Sequence, residues 1–570
     1  MLYHEMDMMD PRRTTSVTYK YINTHGAVQC TAPQTENFGS EDCGPEWAGV
    51  TCLPVHTASP LNCRALNHLR KLPLFTFFLS TTSKISEFTP PCGFDPSECL
   101  NHGNLDAPTP FIRLGFDQLM GSRKILKTCT TLDDVTTLDC IAHMGRTNVC
   151  HVSLQIQNFS HFVRWGTRYD FGDISVRNLL VHFAPQKLLC GWPGSKEIVE
   201  PARIYAILSQ RLPLDVSSTV DTPLPPSQVK QEEQIANHLR IVVSTGVGSE
   251  NIRGIAASEP ILSEAAYVVM KDPICFNLPK ALSRILLEGY AMDSEDRAEL
   301  LVAALFTDAR DKTVDKAVQG TLAEGQATTC FAAMELFANL FSDATFQTIS
   351  ETTPSLQSQN TPPQSFGTAF NEAWMHFNHF IKPPKPGLLY QPYLLRFMAR
   401  GAAVSGANGQ HGVDAIYPFL YGTKELNDNK VGFIMVQVKT NDVSEKARAK
   451  IFRKMDPYDC DLLPEDEGED RTFPIPIIRI VFALISKNPG FTPQPNEKTS
   501  DGRFTSYDFW CSGLSPDILR PVQKGPEYWW EIARKEDQYK TLYSAAPYPD
   551  VLLSQFPGCP DHKAHFNAWS

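Results

Sequence analysis

Apolar positions along this chain fall into blocks of different period. Leu72-Pro73-Leu74-Phe75-Thr76-Phe77-Phe78-Leu79 is a short apolar run with aromatics, closed by Ser80-Thr81-Thr82-Ser83-Lys84. Its length and aromatic content predict a buried strand of a parallel sheet. The segments around 126–142 and 174–190 predict helices. From about Glu232 to Phe346 helical spacing dominates. After the start signal Ser258-Glu259-Pro260, Ile261, Ala265, Ala266 and Val269 make one stripe, and Leu300, Leu301, Ala304 and Leu305 make a second. Phe366, Phe370, Trp374, Phe377 and Ile381 fall at i, i+4, i+8, i+11 and i+15, which predicts one helix stopped by Pro383-Pro384. Beyond it, Gly401 to Ala407, Gly412 to Tyr421 and Val431 to Lys439 predict three strands. Val443 to Met455 predicts a basic helix, and Pro476 to Ile485 a buried strand.

Composition divides these blocks. Residues 1–65 are poor in periodicity and rich in Thr, Pro, Gly and Cys, so they predict a disordered or irregular region. Residues 66–212 read as an α/β module, and 213–231 as a Pro/Ser/Thr-rich joint. Residues 232–346 read as a helical domain, a scaffold or docking element for a protein partner. A second linker, Ser/Gln/Pro-rich, covers 347–363; the last domain spans 364–545 and a tail 546–570. No internal repeat is visible. The fold class is multidomain α/β.

The 570 residues have a net charge of −11, which argues against a protein that coats nucleic acid wholesale. No apolar run approaches bilayer length and the first residues lack an apolar signal core. The expectation is therefore an intracellular protein, cytoplasmic or nuclear, with no membrane partner. Fifteen cysteines are scattered without a C-x-x-C pair, which fits reduced thiols better than a disulfide frame or a zinc site.

Local charge differs from the total. Between His379 and Lys454 stand twelve basic residues (Lys382, Lys385, Arg396, Arg400, Lys424, Lys430, Lys439, Lys446, Arg448, Lys450, Arg453, Lys454) against five acids (Asp414, Glu425, Asp428, Asp442, Glu445). A positive groove is what phosphate contacts require. The plainer reading is an ordinary basic helix at Lys446–Lys454 packed against the acidic run from Asp456 to Asp470. In the same region, the strand that Asp414 opens precedes one ending Gln437-Val438-Lys439. Gln437 and Lys439 share a strand face, and an acid on a neighbouring strand meets them there. A carboxylate, a second oxygen ligand and an amine at one spot suit phosphodiester hydrolysis assisted by a metal.

The order helix, three strands, helix, strand, together with Gly412-Val413-Asp414 and Val436-Gln437-Val438-Lys439, resembles the αβββαβ core of the PD-(D/E)XK nucleases. The likeness is to the variant with Gln in place of the second acid, as in Mrr-like restriction endonucleases. The resemblance implies that Asp414 ligates a divalent metal, with Mg²⁺ the natural choice for hard oxygen ligands. Gln437 would add its side-chain oxygen and Val438 its backbone carbonyl, while Lys439 would position or activate water. Many such nucleases carry a further glutamate on the helix before the strands, and Glu372 is the candidate; a solvated helix face is its other reading. His376 and His379 read as a polar surface pair or as metal ligands, and His411 as a loop histidine beside the site.

A wider resemblance runs from about residue 66 onward. LFTFFLSTTSK at 74–84, FIRLGFDQLM at 111–120, ASEPILSEAA at 257–266, the RGAA…GANGQHGVD stretch, and Ile477–Ala483 with Phe504–Asp508 look like a fungal family of Crinkler-like proteins. These couple a P-loop NTPase module to a PD-(D/E)XK nuclease. Here no G-x-x-x-x-G-K-[ST] occurs, so nothing cradles the β/γ-phosphates and ATPase activity is not expected. Residues 66–212 thus read as the C-terminal part of an NTPase module. Arg146 follows Gly145 where the family often has Gly-Arg-Pro, but Thr147 replaces the proline and 148–165 looks inserted. The resemblance implies a nuclease of effector, toxin or mobile-element type acting on DNA ahead of RNA. The other reading is a catalytically inactive nuclease fold serving as an interaction module.

Overall fold

The computed structural model of the chain describes residues 129–141, 143–145, 184–191, 194, 196–214, 233–244, 253–287, 294–317, 328–358, 363–383, 389–407, 409–440, 443–464, 473–494 and 503–533, and the short strands Tyr21–Ile22 and Val28–Gln29. The run Leu72–Leu79, Arg146 and the 148–165 stretch lie outside the described residues. Two compact units are distinguished, Met1–Leu114 with Ser218–Ile255, and Gly115–Ser217 with Ala256–Ser570. In the first, strands Ile241–Ser244 and Arg253–Ile255 pair antiparallel, and Arg240 Nη2 donates to the Gly254 carbonyl at 2.5 Å.

The second unit is mixed α/β. Its longer helices are α1 (Pro201–Ser209), α2 (Pro260–Lys271), α3 (Leu278–Leu287), α4 (Ser294–Ala317), α5 (Ala333–Leu340), α6 (Asp343–Glu351), α7 (Gln391–Ala399) and α8 (Glu445–Lys454). Its strands are β1 (Phe331–Ala332), β2 (Ala373–Met375), β3 (His379–Ile381), β4 (Ala402–Ser405), β5 (Ala415–Tyr421), β6 (Val431–Val438), β7 (Ile477–Ala483), β8 (Gly490–Pro493) and β9 (Ser506–Ser512). They form one mixed sheet in the order β8-β9-β7-β6-β5-β2-β1. Strand β4 also lies on β5, and β3 lies on β4. Strands β4, β5 and β6 are successive antiparallel neighbours; β7 runs parallel to both β6 and β9.

Side chains of a strand alternate between faces. Tyr417, Phe419, Ile434, Val436, Ile478, Ile480, Phe482 and Phe509 therefore share one face with the helical layer of α1–α6. Phe306 of α4 stacks on Tyr417 at 4.1 Å and meets Phe482 edge-on at 6.0 Å. The other face carries Ile416, Leu420, Phe433, Met435, Val481 and Trp510 under Leu394, Leu395 and Met398 of α7 and Phe452 of α8. Both stripes read from the sequence, at 261–269 and 300–305, are buried in this unit.

Three expectations change. From Ala256 onward the helical block is not a separate body: it shares a single apolar core with one face of the sheet. The second linker is pinned over its described part, because Ser355 N–H donates to the Ser506 carbonyl at 2.8 Å and Ser358 N–H to Thr505 Oγ1 at 3.2 Å. The helix over 366–381 is only a turn, Phe366–Ala369, followed by β2 and β3. The bulky residues at helical spacing sit instead in segments buried on both faces, where period ceases to distinguish strand from helix. The helix that leads into β4 is α7, so from 391 to 483 the order is helix, three strands, helix, strand.

Candidate functional site

The site expected from the sequence lies where β5 begins and β6 ends. The β5–β6 register ends with Ala415 paired with Val436, and Asp414 stands just ahead of it. Within β6, Gln437 pairs with Val481 and so lies on the face covered by α7 and α8, while Val438 points into the core under the helical layer. Asp414 thus meets the end of β6 beside Gln437, and Lys439 follows directly after that strand, at one corner of the sheet.

Asp414 is half-buried there. Its Oδ2 accepts the Val438 N–H at 2.6 Å, and its own N–H donates to the Val436 carbonyl at 2.9 Å. The carboxylate thereby satisfies a β6 donor just where β5 starts. Gln437 is 9% exposed and its Oε1 is buried without a hydrogen-bond partner. An unpaired buried carbonyl oxygen costs roughly 1–3 kcal/mol, so a ligand there has an acceptor waiting for it. The Lys439 N–H donates to the Phe482 carbonyl at 2.7 Å, which fixes its backbone on the β7 side.

Gly412 explains why the motif opens with glycine. Its φ is +71°, and an added Cβ would run into the Lys454 carbonyl oxygen and stand 2.8 Å from Cys460 Sγ. The last turn of α8 therefore packs directly on the loop that delivers Asp414. That turn is held from below by Arg479 of β7, whose Nη1 donates to the carbonyls of Phe452 at 2.7 Å and Met455 at 3.3 Å. Its other nitrogens pair with both carboxylate oxygens of Asp508 on β9, at 2.7 and 2.5 Å. Arg479 and Asp508 are 2% and 3% exposed, and the register places them side by side. Sequence reading missed this pair as machinery. Its signal was one lone charge in each of two otherwise apolar strands.

The remaining candidates do not join the corner. Glu372 is exposed in the turn before β2, and its carbonyl accepts the Gly422 N–H at 2.8 Å. That is the far end of the seven-residue β5, roughly 24 Å along the strand from Asp414. The helix that does precede the strands, α7, carries no acid. His411 is exposed in the loop ahead of Gly412.

His376 and His379 are not a surface pair; they are 1% and 2% exposed. Asn378 Nδ2 donates to Glu264 Oε1 at 2.9 Å, so its Oδ1 is the acceptor for His379 Nδ1–H at 2.6 Å. His379 Nε2 is then left to accept from Ser258 Oγ at 2.6 Å. Arg310, fully buried, pairs with Glu264 at 2.8 Å and donates to the Phe377 carbonyl at 2.9 Å. Burial, then the charge of Arg310, pulls the His376 ring down to about 4, and burial keeps His379 well below its ordinary value. Both rings are neutral: His379 joins the Asn378, Glu264 and Arg310 network that fastens α2 and α4 to the sheet, while His376 Nδ1 meets the Met398 carbonyl of α7 at 3.0 Å.

Comparison with known protein families, curated proteins and solved structures found no match to this chain. Among the described residues, no group of three or more His, Cys, Asp or Glu side chains is placed to hold a metal ion. Any cation at the corner would rely on Asp414 with the neutral oxygens of Gln437 and Val438, a donor set of the kind hard divalent ions accept. Among the same residues no helix is long and apolar enough to cross a membrane.

Proposed function

We propose that the chain is a divalent-metal-dependent nuclease that hydrolyses phosphodiester bonds, of DNA ahead of RNA, from the corner built by Asp414, Gln437 and Lys439. The observation that carries this reading is the Asp414 carboxylate held on the Val438 N–H, next in the chain to Gln437, whose buried side-chain oxygen is left without a partner. The order of α7, β4, β5, β6, α8 and β7 agrees with the αβββαβ resemblance read from the sequence. Asp414, the Gln437 side-chain oxygen and the Val438 carbonyl would hold Mg²⁺. When bound, such an ion offsets charge on the phosphate and acidifies water. Lys439, directly after β6, orients the attacking water and stabilises the developing charge. The Val438 N–H keeps the Asp414 carboxylate turned toward β6, so the ligand is held before substrate arrives.

A second reading, an inactive nuclease fold acting as an interaction module of effector type, is favoured by the absence of an acid on α7. One experiment separates the two. Full-length protein is incubated with Mg²⁺ and plasmid, single-stranded DNA or RNA, beside Asp414→Asn and Lys439→Ala. Cleavage by wild type alone supports the nuclease; a wild type as inert as the variants leaves the interaction module.

A further inference from the structure

The outward side of α8 is the most concentrated positive surface near the corner. Lys446, Lys450, Arg453 and Lys454 are all exposed. Their spacing, i, i+4, i+7 and i+8, places them on one helical face. None of the four has an acid partner among the described residues. Asp456, the nearest acid after the helix, is turned away: its Oδ1 accepts the Tyr458 N–H at 2.9 Å and its Oδ2 faces Arg503 at 3.4 Å. Like charges one turn apart repel by a few tenths of a kcal/mol each, so the stripe is a local cost to the free helix.

The opposite side of the helix is fixed. Phe452 is buried in the core and the Arg448 guanidinium lies 4.8 Å from the centre of the Trp510 ring. At the C-terminal end two carbonyls, which would present negative charge to an approaching phosphate, are taken by Arg479. That same end packs on Gly412, two residues ahead of Asp414. The stripe is therefore a rigid track about 12 Å long that ends at the corner.

We propose that this face of α8 binds the sugar–phosphate backbone of nucleic acid and leads it to the Asp414 corner, reading charge and not sequence. The assignment of the corner rests on the nuclease reading; backbone binding by the stripe does not. Polyanion binding of this kind has a quantitative signature, because each neutralised phosphate releases counterions. Four contacts give a slope of log K against log salt near −3.6 on duplex DNA and near −2.8 on single strands. Between 50 and 200 mM salt, that share of the affinity falls roughly 150-fold on duplex and roughly 50-fold on single strands.

The test uses the full chain in EDTA, so that binding is read without cleavage. Fluorescein-labelled 30-nucleotide single strands and 30-base-pair duplexes of several sequences are titrated by anisotropy across that salt range. The variant replaces Lys446, Lys450, Arg453 and Lys454 with alanine, which suits an exposed helix; a second variant keeps the charge with arginine at the three lysines. The expected result is a slope shallower by about 3 in the alanine variant, equally for all sequences, and retained in the arginine variant. An unchanged slope overturns the stripe even if Asp414-dependent cleavage persists. A lost slope in a chain that never cleaves keeps the stripe and removes the nuclease. Binding that emerges only after neutralising the acids at 465–470 assigns the stripe to that run and overturns the proposal.

Discussion

Replacing Asp508 with alanine tests how the site is supported. The substitution leaves the Arg479 guanidinium 2% exposed and without the carboxylate that takes two of its nitrogens. Removing one partner of a buried ion pair costs about 3–5 kcal/mol, because the remaining charge is desolvated and unmatched. A cost of ~4 kcal/mol changes the ratio of folded to unfolded chain by about a thousandfold. The pair itself is a weaker stabiliser than that figure suggests. Replacing both members, Arg479→Met with Asp508→Leu, removes the stranded charge and loses only the bonds to the Phe452 and Met455 carbonyls, about 1 kcal/mol each. The double variant is expected within about 2 kcal/mol of wild type, roughly 2 kcal/mol or more better than Asp508→Ala alone. Urea titration of Trp fluorescence reads this, since Trp510 and Trp529 are both fully buried. With a slope of about 3 kcal/mol per molar, the single variant shifts the midpoint by roughly 1.3 M. A single-variant cost below ~1 kcal/mol would refute the claim that this charge pair holds the end of α8.

Four further outcomes are expected. Asp414→Asn keeps an acceptor for the Val438 N–H, so it folds near wild-type stability and loses Mg²⁺-dependent cleavage; Asp414→Ala additionally costs about 1–3 kcal/mol in thermal unfolding. Glu372→Gln leaves cleavage unchanged, because the residue sits at the opposite end of β5. Gly412→Ala costs at least ~2 kcal/mol by denaturant titration, from its left-handed backbone and the carbonyl it meets. Acid destabilises the fold through His376: its ring titrates at about 4 when folded and near 6.5 when unfolded. The unfolded chain binds more protons between those values, so stability is full above pH 6.5 and falls by about 3 kcal/mol on acidification to pH 4. His376→Asn flattens that part of the profile; equal acid sensitivity in the variant rules out the assignment.

Much of the sheet was legible because short strands bounded by glycines carry local signals. Gly401–Ala407, Gly412–Tyr421, Val431–Lys439 and Pro476–Ile485 enclose β4, β5, β6 and β7, and Val443–Met455 encloses α8. The approach of Asp414 to the end of β6, where its carboxylate takes the Val438 N–H, follows from the same neighbouring strands. What failed was long-range. Phe366 to Ile381 mimicked a helix because Phe366, Phe370 and Phe377 are buried in packing that their own segment does not specify. That error put Glu372 on a helix that does not exist and turned two buried histidines outward. The Arg479–Asp508 pair joins residues 29 apart, and only the β7–β9 register reveals it.

The bonds of Ser355 and Leu356 to Ser506 also bear on how this protein can be divided. A piece excised at Gln364, where composition suggests a seam, would strip β9 of its flanking segment and α2–α6 from the sheet. Tyr417, Phe419, Ile434, Ile480 and Phe509 would then face water together, a sticky wall broad enough to drive precipitation. Fragments meant to retain the Asp414 corner should therefore keep the helices, α1 included, as the sheet's permanent lining.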